Sequence, residues 1–365
     1  MSSTIKNINT TRKRVLVAPL DWGLGHTTRC IPVIQELLLQ NFTVLLAAEG
    51  NSANLLGKEF PSLTILPLKG YKISYSNTKL FFVAKLIAQI PKILKAIKQE
   101  HKWLNKIIKE YKIDIVISDN RYGFYNINIK SIFITHQLAI ETGNTFTNWL
   151  IQKLNYRLIN KFDDCWIPDN EVPFDLAGKL SHPKEMSVVP TKYIGILTRF
   201  KKETSEKNID LLVLISGPEP QRTALENIML LQMKKVSLKM VLVRGLPGVA
   251  NKLINENTAL QIYDHLPAIE LSRLIQSSKI VIARSGYSTI MDLIALQQTA
   301  VLIPTPGQKE QEYLAEYLAA KKYFIAAQQN GFNLVKELQN IINVELKTLS
   351  ESENKKLWEA IICLK

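Results

Sequence analysis

Cysteine is scarce and without pattern: Cys30, Cys165 and Cys363 stand far apart, and no Cys-x-x-Cys pair occurs. That spacing excludes a disulfide framework and a thiolate metal site, and it suits a reducing compartment. There is no Asp-x-Asp pair and no His/Asp/Cys cluster at ligand spacing, so neither a metal nor a resident cofactor is implied. No uninterrupted run of about 18 apolar residues is present, so nothing reads as crossing a membrane. The stretch Met1 to Thr11 is polar and lacks an apolar h-region, so it does not read as a signal peptide. No repeat of 20–50 residues is visible, which excludes a solenoid.

What remains is a soluble globular composition. The 365 residues are 46% hydrophobic and 21% charged, with a net charge of +14. The length suits two domains better than one core. The lysine excess favours contact with something anionic, such as a nucleotide diphosphate, an acidic lipid headgroup or nucleic acid. Nucleic acid is set aside because the lysines come without a nucleic-acid module or an interleaved aromatic stripe.

Strand and helix signals alternate along the whole chain, as expected for parallel sheets covered by helices on both faces. The first series of strands is Arg14–Ala18, Phe42–Ala48, Leu63–Leu66, Ile113–Ser118, Ser131–Ile134 and Asp164–Ile167. Helices are expected over Thr27–Leu39, Lys79–Tyr111 and Phe146–Asn160. Pro168 to Arg199 is rich in Pro and Gly, poor in periodicity, and reads as connecting chain. A second series follows: Leu211–Ile215, Met240–Val243, Leu260–Tyr263, Lys279–Ala283 and Ala300–Ile303, with helices over Gln221–Lys235, Ala268–Gln276 and Lys309–Ala320. The expected division is a first α/β domain over 1–190, a linker over 191–208 and a second α/β domain over 209–350. A terminal helix within 351–365 is expected to pack back on the first domain.

The sharpest local signal is Arg284-Ser285-Gly286-Tyr287-Ser288-Thr289-Ile290-Met291-Asp292. A buried strand runs into a Gly turn and the turn into a helix. Backbone N–H groups and the positive end of a helix then point at one spot, which suits a phosphate. Asp292, one turn in, could hold a ribose or sugar hydroxyl. The plain alternative is a capped helix start, since Thr289 to Asp292 also fits a capping arrangement. Thr305-Pro306-Gly307-Gln308 follows another strand end, and Gln311 and Glu312 in the next helix could offer an amide and a carboxylate to a sugar. Ser216 and Gly217, with Arg222 beyond them, end the first strand of the second series. Ligands of open α/β sheets sit at such carboxyl ends.

Upstream, Gly23-Leu24-Gly25-His26 invites a dinucleotide reading with Glu49 as ribose ligand, but Thr28 stands where the third glycine would be. Asp119 and His136 each follow a strand end, on the same rim as His26. Leu80 to Ile97 is apolar on one face and carries Lys79, Lys85, Lys92, Lys95 and Lys98, with Pro91 expected to kink it. A basic amphipathic helix of this kind over 79–98 can lie on an anionic membrane surface, although a helix packed on its own sheet with a solvated Lys face fits equally.

At these residues the chain resembles the two-domain glycosyltransferases of the GT-B fold. It is most similar to the family 28 group that includes the peptidoglycan N-acetylglucosaminyltransferase and the plant galactolipid synthases. Arg284-Ser285-Gly286-x-x-Thr289-x-x-Asp292, then Ala300 to Pro304, then Gln311-Glu312-Tyr313 follow that group's donor signature in order and spacing. Gly23-Leu24-Gly25-His26 with Pro32 is similar to its amino-terminal Gly-Gly-His-x-x-Pro turn. The chain departs from the group at Asp292, where Glu is usual, at Glu312, where Gln is frequent, and at Ala315, where Asn is usual.

The resemblance implies two Rossmann-like parallel-sheet domains facing a cleft, and an inverting, metal-independent transfer from a UDP-sugar, N-acetylglucosamine first. The acceptor implied is lipid-linked or an envelope glycan, met in the cytoplasm or at the inner membrane face. The base is implied among His26, Asp119 and His136. Donor contacts are implied at Ser216, Gly217, Arg222, Arg244, Arg284, Ser285, Gly286, Ser288, Thr289, Asp292, Thr305, Gln308, Gln311 and Glu312. Arg284, Arg222 or Arg244, with helix N-termini, would stabilise the leaving diphosphate. Two other readings stay open: an epimerase of nucleotide sugars on the same fold, and a non-catalytic protein that binds UDP-sugar or docks on membranes.

Overall fold

The computed structural model describes residues 12–71, 79–141, 145–246, 253–257, 259–347 and 355–365. Met1 to Thr11 lies outside the described residues. The first half runs β1 (Arg14–Pro19), α1 (Leu24–Leu39), β2 (Thr43–Ala48), α2 (Gly50–Glu59), β3 (Ile65–Pro67), α3 (Lys79–Tyr111), β4 (Ile115–Asp119), β5 (Lys130–Ile134), α4 (Thr145–Ile159), β6 (Asp164–Ile167) and β7 (Thr191–Tyr193). Its seven strands lie in the order β3-β2-β1-β4-β5-β6-β7, and every neighbouring pair is parallel.

The second half runs β8 (Ile209–Leu214), α5 (Gln221–Met233), β9 (Met240–Val243), β10 (Leu253–Asn257), β11 (Leu260–Tyr263), α6 (Ala268–Gln276), β12 (Ser278–Ala283), α7 (Tyr287–Ala295), β13 (Ala300–Leu302), α8 (Lys309–Ala320), β14 (Ile325–Ala326), α9 (Leu334–Asn343) and α10 (Lys355–Ile362). This sheet is ordered β10-β11-β9-β8-β12-β13-β14. Only the β10–β11 hairpin is antiparallel; the remaining pairs run parallel.

Parallel strands covered on both faces must be apolar throughout. Val15 to Ala18 in β1 and Val116 and Ile117 in β4 are accordingly buried to the last atom. α1 supplies its cover through a stripe at Thr27, Cys30, Ile31, Ile34 and Leu37, the three-to-four spacing that puts residues on one helix face. A single apolar cluster joins Val15 and Ile34 of the first half to Ile290 and Leu293 of α7 and to Ile361 of α10. The two halves therefore meet through packed helices, α1 against α7 and α1 against α10. Lys13 Nζ donates to the carbonyl of Leu364 at 3.0 Å, which ties the end of α10 to the start of β1.

Two strand orders reverse in the middle of their sheets, at β1/β4 and at β8/β12. Such switch points leave a crevice at the strands' carboxyl ends where ligands bind. The segment read as connecting chain differs from expectation. Thr191 to Tyr193 form β7 at the edge of the first sheet rather than the start of a linker. The buried Asp169 carboxylate organises the loop before it, accepting hydrogen bonds from the N–H groups of Asn170, Leu176 and Ala177 and from Ser181 Oγ.

Candidate functional site

Each switch point carries one cluster of the residues singled out above. At the first, Gly23 adopts φ 81°, a left-handed turn that favours glycine, and α1 begins at once. His26 therefore sits in the first turn of α1. Asp119 ends β4 beside it, fully buried. The turn after Asp119 is locked from several sides. Asn120 is left-handed at φ 55°, Ser118 Oγ donates to the Arg121 carbonyl at 2.7 Å, and Arg121 is pinned by Glu100 at 2.7 Å and by the Pro19 carbonyl at 2.8 Å.

His26 Nδ1 and Asp119 Oδ1 are 2.6 Å apart. Arg29, one turn along α1, grips the same carboxylate through Nε and Nη2. Burial alone would raise the Asp119 carboxyl, but the Arg29 guanidinium and then His26 override it and hold the group well below the usual carboxylate range. Burial, and then Arg29, lower His26 from the ordinary 6.5. At neutral pH the ring is thus neutral beside an ionised carboxylate, and Nε2 makes no hydrogen bond among the described residues. A neutral imidazole held by a carboxylate at Nδ1 and open at Nε2 can accept a proton.

His136 follows β5 and reaches the other half of the molecule. Its Nε2 is 2.7 Å from Glu310 Oε1 on α8, its Nδ1 is 3.0 Å from Arg29 Nη1, and its ring lies flat on Tyr287 with centroids 4.1 Å apart. Tyr287 OH donates to the Pro168 carbonyl at 2.8 Å. Ser288 Oγ donates to the Gly25 carbonyl at 2.9 Å. The start of α7 therefore abuts the start of α1, one residue from His26.

At the second switch point, Gly286 caps α7, and Thr289 lies half-buried in its first turn. Arg284 is buried and donates to the carbonyls of Ile303, Pro304 and Gln221 at 3.4, 3.1 and 2.8 Å. It has no carboxylate partner among the described residues, and its Nε is unpaired. Burial lowers it from 12.5 to about 10. A buried cation without an anion is the electrostatic signature of a place an anion can fill. Thr305 Oγ1 is likewise buried and unpaired. It lies opposite Gly217, a residue at φ 107° whose side, if it bore a Cβ, would face that hydroxyl at 3.7 Å. Ser216 stands exposed at the mouth beside it.

The start of α8 is held internally. Ser285 Oγ donates to the Gln311 carbonyl at 2.8 Å, Gln311 Oε1 accepts from the Thr305 N–H at 2.9 Å, and its Nε2 donates to Gln308 Oε1 at 2.5 Å. Glu312 accepts from the Gly307 N–H and from Lys309 Nζ at 2.9 and 2.8 Å.

Three expected donor contacts stand differently. Arg222 is paired with Glu219 at 2.5 Å and with Glu226, and Arg244 with Glu226 and Asp264 at 2.6 and 2.7 Å. Both guanidinium charges are spent on carboxylates, which leaves Arg284 as the uncompensated cation. Asp292 faces the chain between the halves: its Oδ1 accepts from Thr198 Oγ1 at 2.6 Å, and burial raises it from 3.8 to about 6.

Sequence reasoning missed Arg29, Glu310 and Tyr287. Arg29 lies three residues after His26 on one helix face, the spacing that could have marked it. Glu310 carried no signal of its own, because its partner is 174 positions away. No three His, Cys, Asp or Glu side chains gather as metal ligands among the described residues. No helix among them is long and apolar enough to cross a membrane.

Comparison with known proteins places this geometry. Residues 221–361 match the glycosyltransferase family 28 C-terminal domain, and residues 14–132 match glycosyl transferase family 1. An uncharacterized glycosyltransferase of Methanosarcina mazei is 26% identical over 330 residues, covering 82% of each chain. A protein of a Sulfurihydrogenibium species is 22% identical over 354 residues, covering 93% of this chain and 92% of its own. It is named as the UDP-N-acetylglucosamine–N-acetylmuramyl-(pentapeptide) pyrophosphoryl-undecaprenol N-acetylglucosamine transferase. The solved structure of the glycotransferase of kitacinnamycin superimposes with a TM-score of 0.64 at 14% identity, covering 97% of this chain and 94% of that one. The chain is a glycosyltransferase with the two parallel-sheet domains of the GT-B fold, and its residues 221–361 are of the family 28 type.

Proposed function

We propose that this glycosyltransferase moves a sugar, N-acetylglucosamine in the first instance, from a UDP-sugar to a hydroxyl of a lipid-linked or envelope-glycan acceptor, with inversion and without a metal. The carrying observation is the 2.9 Å contact between Ser288 Oγ and the Gly25 carbonyl. It sets an imidazole–carboxylate pair on one domain beside the positive end of a helix on the other. The name of the Sulfurihydrogenibium relative supports the donor and the lipid-linked acceptor.

His26 Nε2 takes the acceptor's proton as its oxygen attacks the anomeric carbon from the side opposite the departing diphosphate. Asp119 accepts from Nδ1–H, fixes that tautomer and stabilises the imidazolium that forms. The α7 N-terminus, the Thr305 hydroxyl and Arg284 face the charge that develops on the diphosphate, in the manner of preorganised donors. Ser216, Gly217 and Gly286 bring backbone close to the phosphates, and Gln308, Gln311 and Glu312 line the sugar's side. Asp292 offers the ribose its second carboxylate oxygen while Oδ1 stays with Thr198.

The second partner in this reading is an anionic membrane surface on the cytoplasmic side, met by the 79–98 segment of α3. Within 79–98 the side chains of residues 79–90 lie outside the described residues, so Lys79 and Lys85 do not enter. Beyond them Lys92, Leu94, Lys95 and Lys98 are exposed. The neighbouring α4, whose Leu158 packs against the same small cluster of Leu20, Tyr71 and Ile97 as Ile93 and Ala96, exposes Trp149, Leu150 and Leu154. Apolar side chains beside lysines are what a headgroup region accepts.

Incubation with UDP-N-acetylglucosamine, with and without a bacterial lipid extract, tests the reading. UDP release that requires the extract supports transfer. A new UDP-sugar epimer formed with no acceptor present identifies an epimerase, and donor binding with neither product identifies a sensor.

A further inference from the structure

The hydrogen bonds around Asp119 contain a conflict that the two halves of the molecule resolve together. His26 Nδ1 lies 2.6 Å from Asp119 Oδ1 and 2.7 Å from Arg29 Nη2. Arginine has only donors. One ring nitrogen cannot give a proton to Asp119 and also accept one from Arg29. With Nδ1–H turned to Asp119, Nε2 carries the lone pair and His26 is a base. With Nδ1 accepting from Arg29, the proton sits on Nε2 and His26 cannot be one.

The remaining arm of Arg29 decides between these states. Nη1 donates to His136 Nδ1 at 3.0 Å, which requires that Nδ1 be unprotonated. His136 must then carry its proton on Nε2, where Glu310 Oε1 accepts it at 2.7 Å. Glu310 belongs to α8 of the second domain, whereas His26, Arg29, Asp119 and His136 all belong to the first. The ring of His136 is further held by Tyr287, which stacks on it from α7.

We propose that Arg29 and Glu310 are positioning residues: Glu310 fixes His136 as an acceptor, His136 and Asp119 then take the donors of the Arg29 fork, and Nδ1–H of His26 is left to Asp119. The base is therefore armed only while the two domains touch. When α8 withdraws, His136 loses the carboxylate that selects its tautomer, and Arg29 is free to donate to His26 and silence it. A donor held by the open enzyme then meets no base, which limits its loss to water. This rests on the transferase reading of His26, but the tautomer claim stands on the unliganded protein.

The charged and titratable groups around His26 are Arg29 and Cys30 on α1, Asp119 on β4, His136 after β5 and Glu310 on α8. Removing the Glu310 charge leaves Arg29 less compensated, so the imidazolium of His26 becomes less favourable. The acid limb of the rate profile then moves to lower pH.

The test uses the full-length protein, labelled with nitrogen-15 at histidine, as wild type, Glu310→Gln and Arg29→Lys. Glu310 is about one-third exposed (36%), so its replacement leaves the core intact. In the ring-nitrogen spectrum, wild-type His26 is expected as the Nδ1–H tautomer and the Glu310→Gln protein as a mixture enriched in Nε2–H. With donor and acceptor, Glu310→Gln should lose roughly tenfold in kcat, part of the hundredfold or more that a general base supplies. Its KM for donor should be unchanged and its acid limb shifted down, and Glu310→Asp should restore part of the rate. Arg29→Lys, which keeps the charge and loses the fork, should lower kcat with the acid limb in place. The same His26 tautomer in wild type and Glu310→Gln overturns the inference, and so does a wild-type rate profile in Glu310→Gln. Wild-type protein that shows the expected tautomers yet transfers no sugar instead refutes the transferase reading alone.

Discussion

Arg284 and Arg222 each stand beside a turn at the carboxyl rim of the second sheet, yet only Arg222 has carboxylate partners among the described residues. Glu219 and Glu226 neutralise Arg222, while Arg284 sees carbonyl oxygens. Replacing Arg284 by Gln should therefore weaken UDP binding by about ten- to a hundredfold, the worth of a charge-assisted contact, as read by titration calorimetry. The same change at Arg244 should cost much less. Asp292 gives a second prediction with a definite sign. Its folded pKa, about 6, lies above the ordinary 3.8, so the protonated form stabilises the fold. That contribution is complete below 3.8 and is lost as pH rises through 6. Asp292→Asn should raise the melting temperature above pH 6 and change it little below 3.8, in melts of the unliganded protein. Should the carboxylate clasp ribose, the same variant also loses its stabilisation by UDP. At this scale His26, Asp119 and His136 were legible because each directly follows a strand or opens a helix at a carboxyl rim. Arg29 and Glu310 were not, since a lone charge on a helix reads as solvated until its distant partner is known.

Among the elements, the long strands were legible and the short edges were not. β1, β4 and β12 are continuous apolar runs, and that pattern belongs to buried parallel strands. β7 and β14 have three and two residues, too few to carry a period, and their pairing is set by neighbours distant in sequence. β10 pairs antiparallel to β11 at the outer edge, where no alternation of strand and helix announces it. The loop between β6 and β7 looked irregular because its order comes from one buried carboxylate rather than from periodicity. Asp169→Ala should leave three N–H groups and the Ser181 hydroxyl without their acceptor and cost on the order of 3 kcal/mol in urea unfolding. The exposed lysines of α3 give a test at the same scale. Replacing Lys92, Lys95 and Lys98 together by Gln should release the protein from vesicles of anionic lipid, each lysine being worth about 1 kcal/mol near such a surface. Flotation in salt should mimic the triple variant, because surface attraction is screened.

For the molecule as a whole, the repeated alternation of strands and helices made two sheets legible. The way they meet was not legible, because α1, α7, α8 and α10 interlock through single residues such as Gly25, Ser288, His136 and Glu310. These contacts hold the two carboxyl rims against each other. One apolar cluster also runs through both halves. The central claim is that a base on the first domain works on a sugar nucleotide held by the second. Its most direct test is a single preparation of His26→Ala assayed both for UDP-sugar binding and for acceptor-dependent UDP release. Donor affinity within about twofold of wild type, with turnover reduced about a hundredfold or more, is the result this arrangement predicts. Turnover that survives the substitution, or donor affinity that vanishes with it, would contradict the division of labour between the two domains.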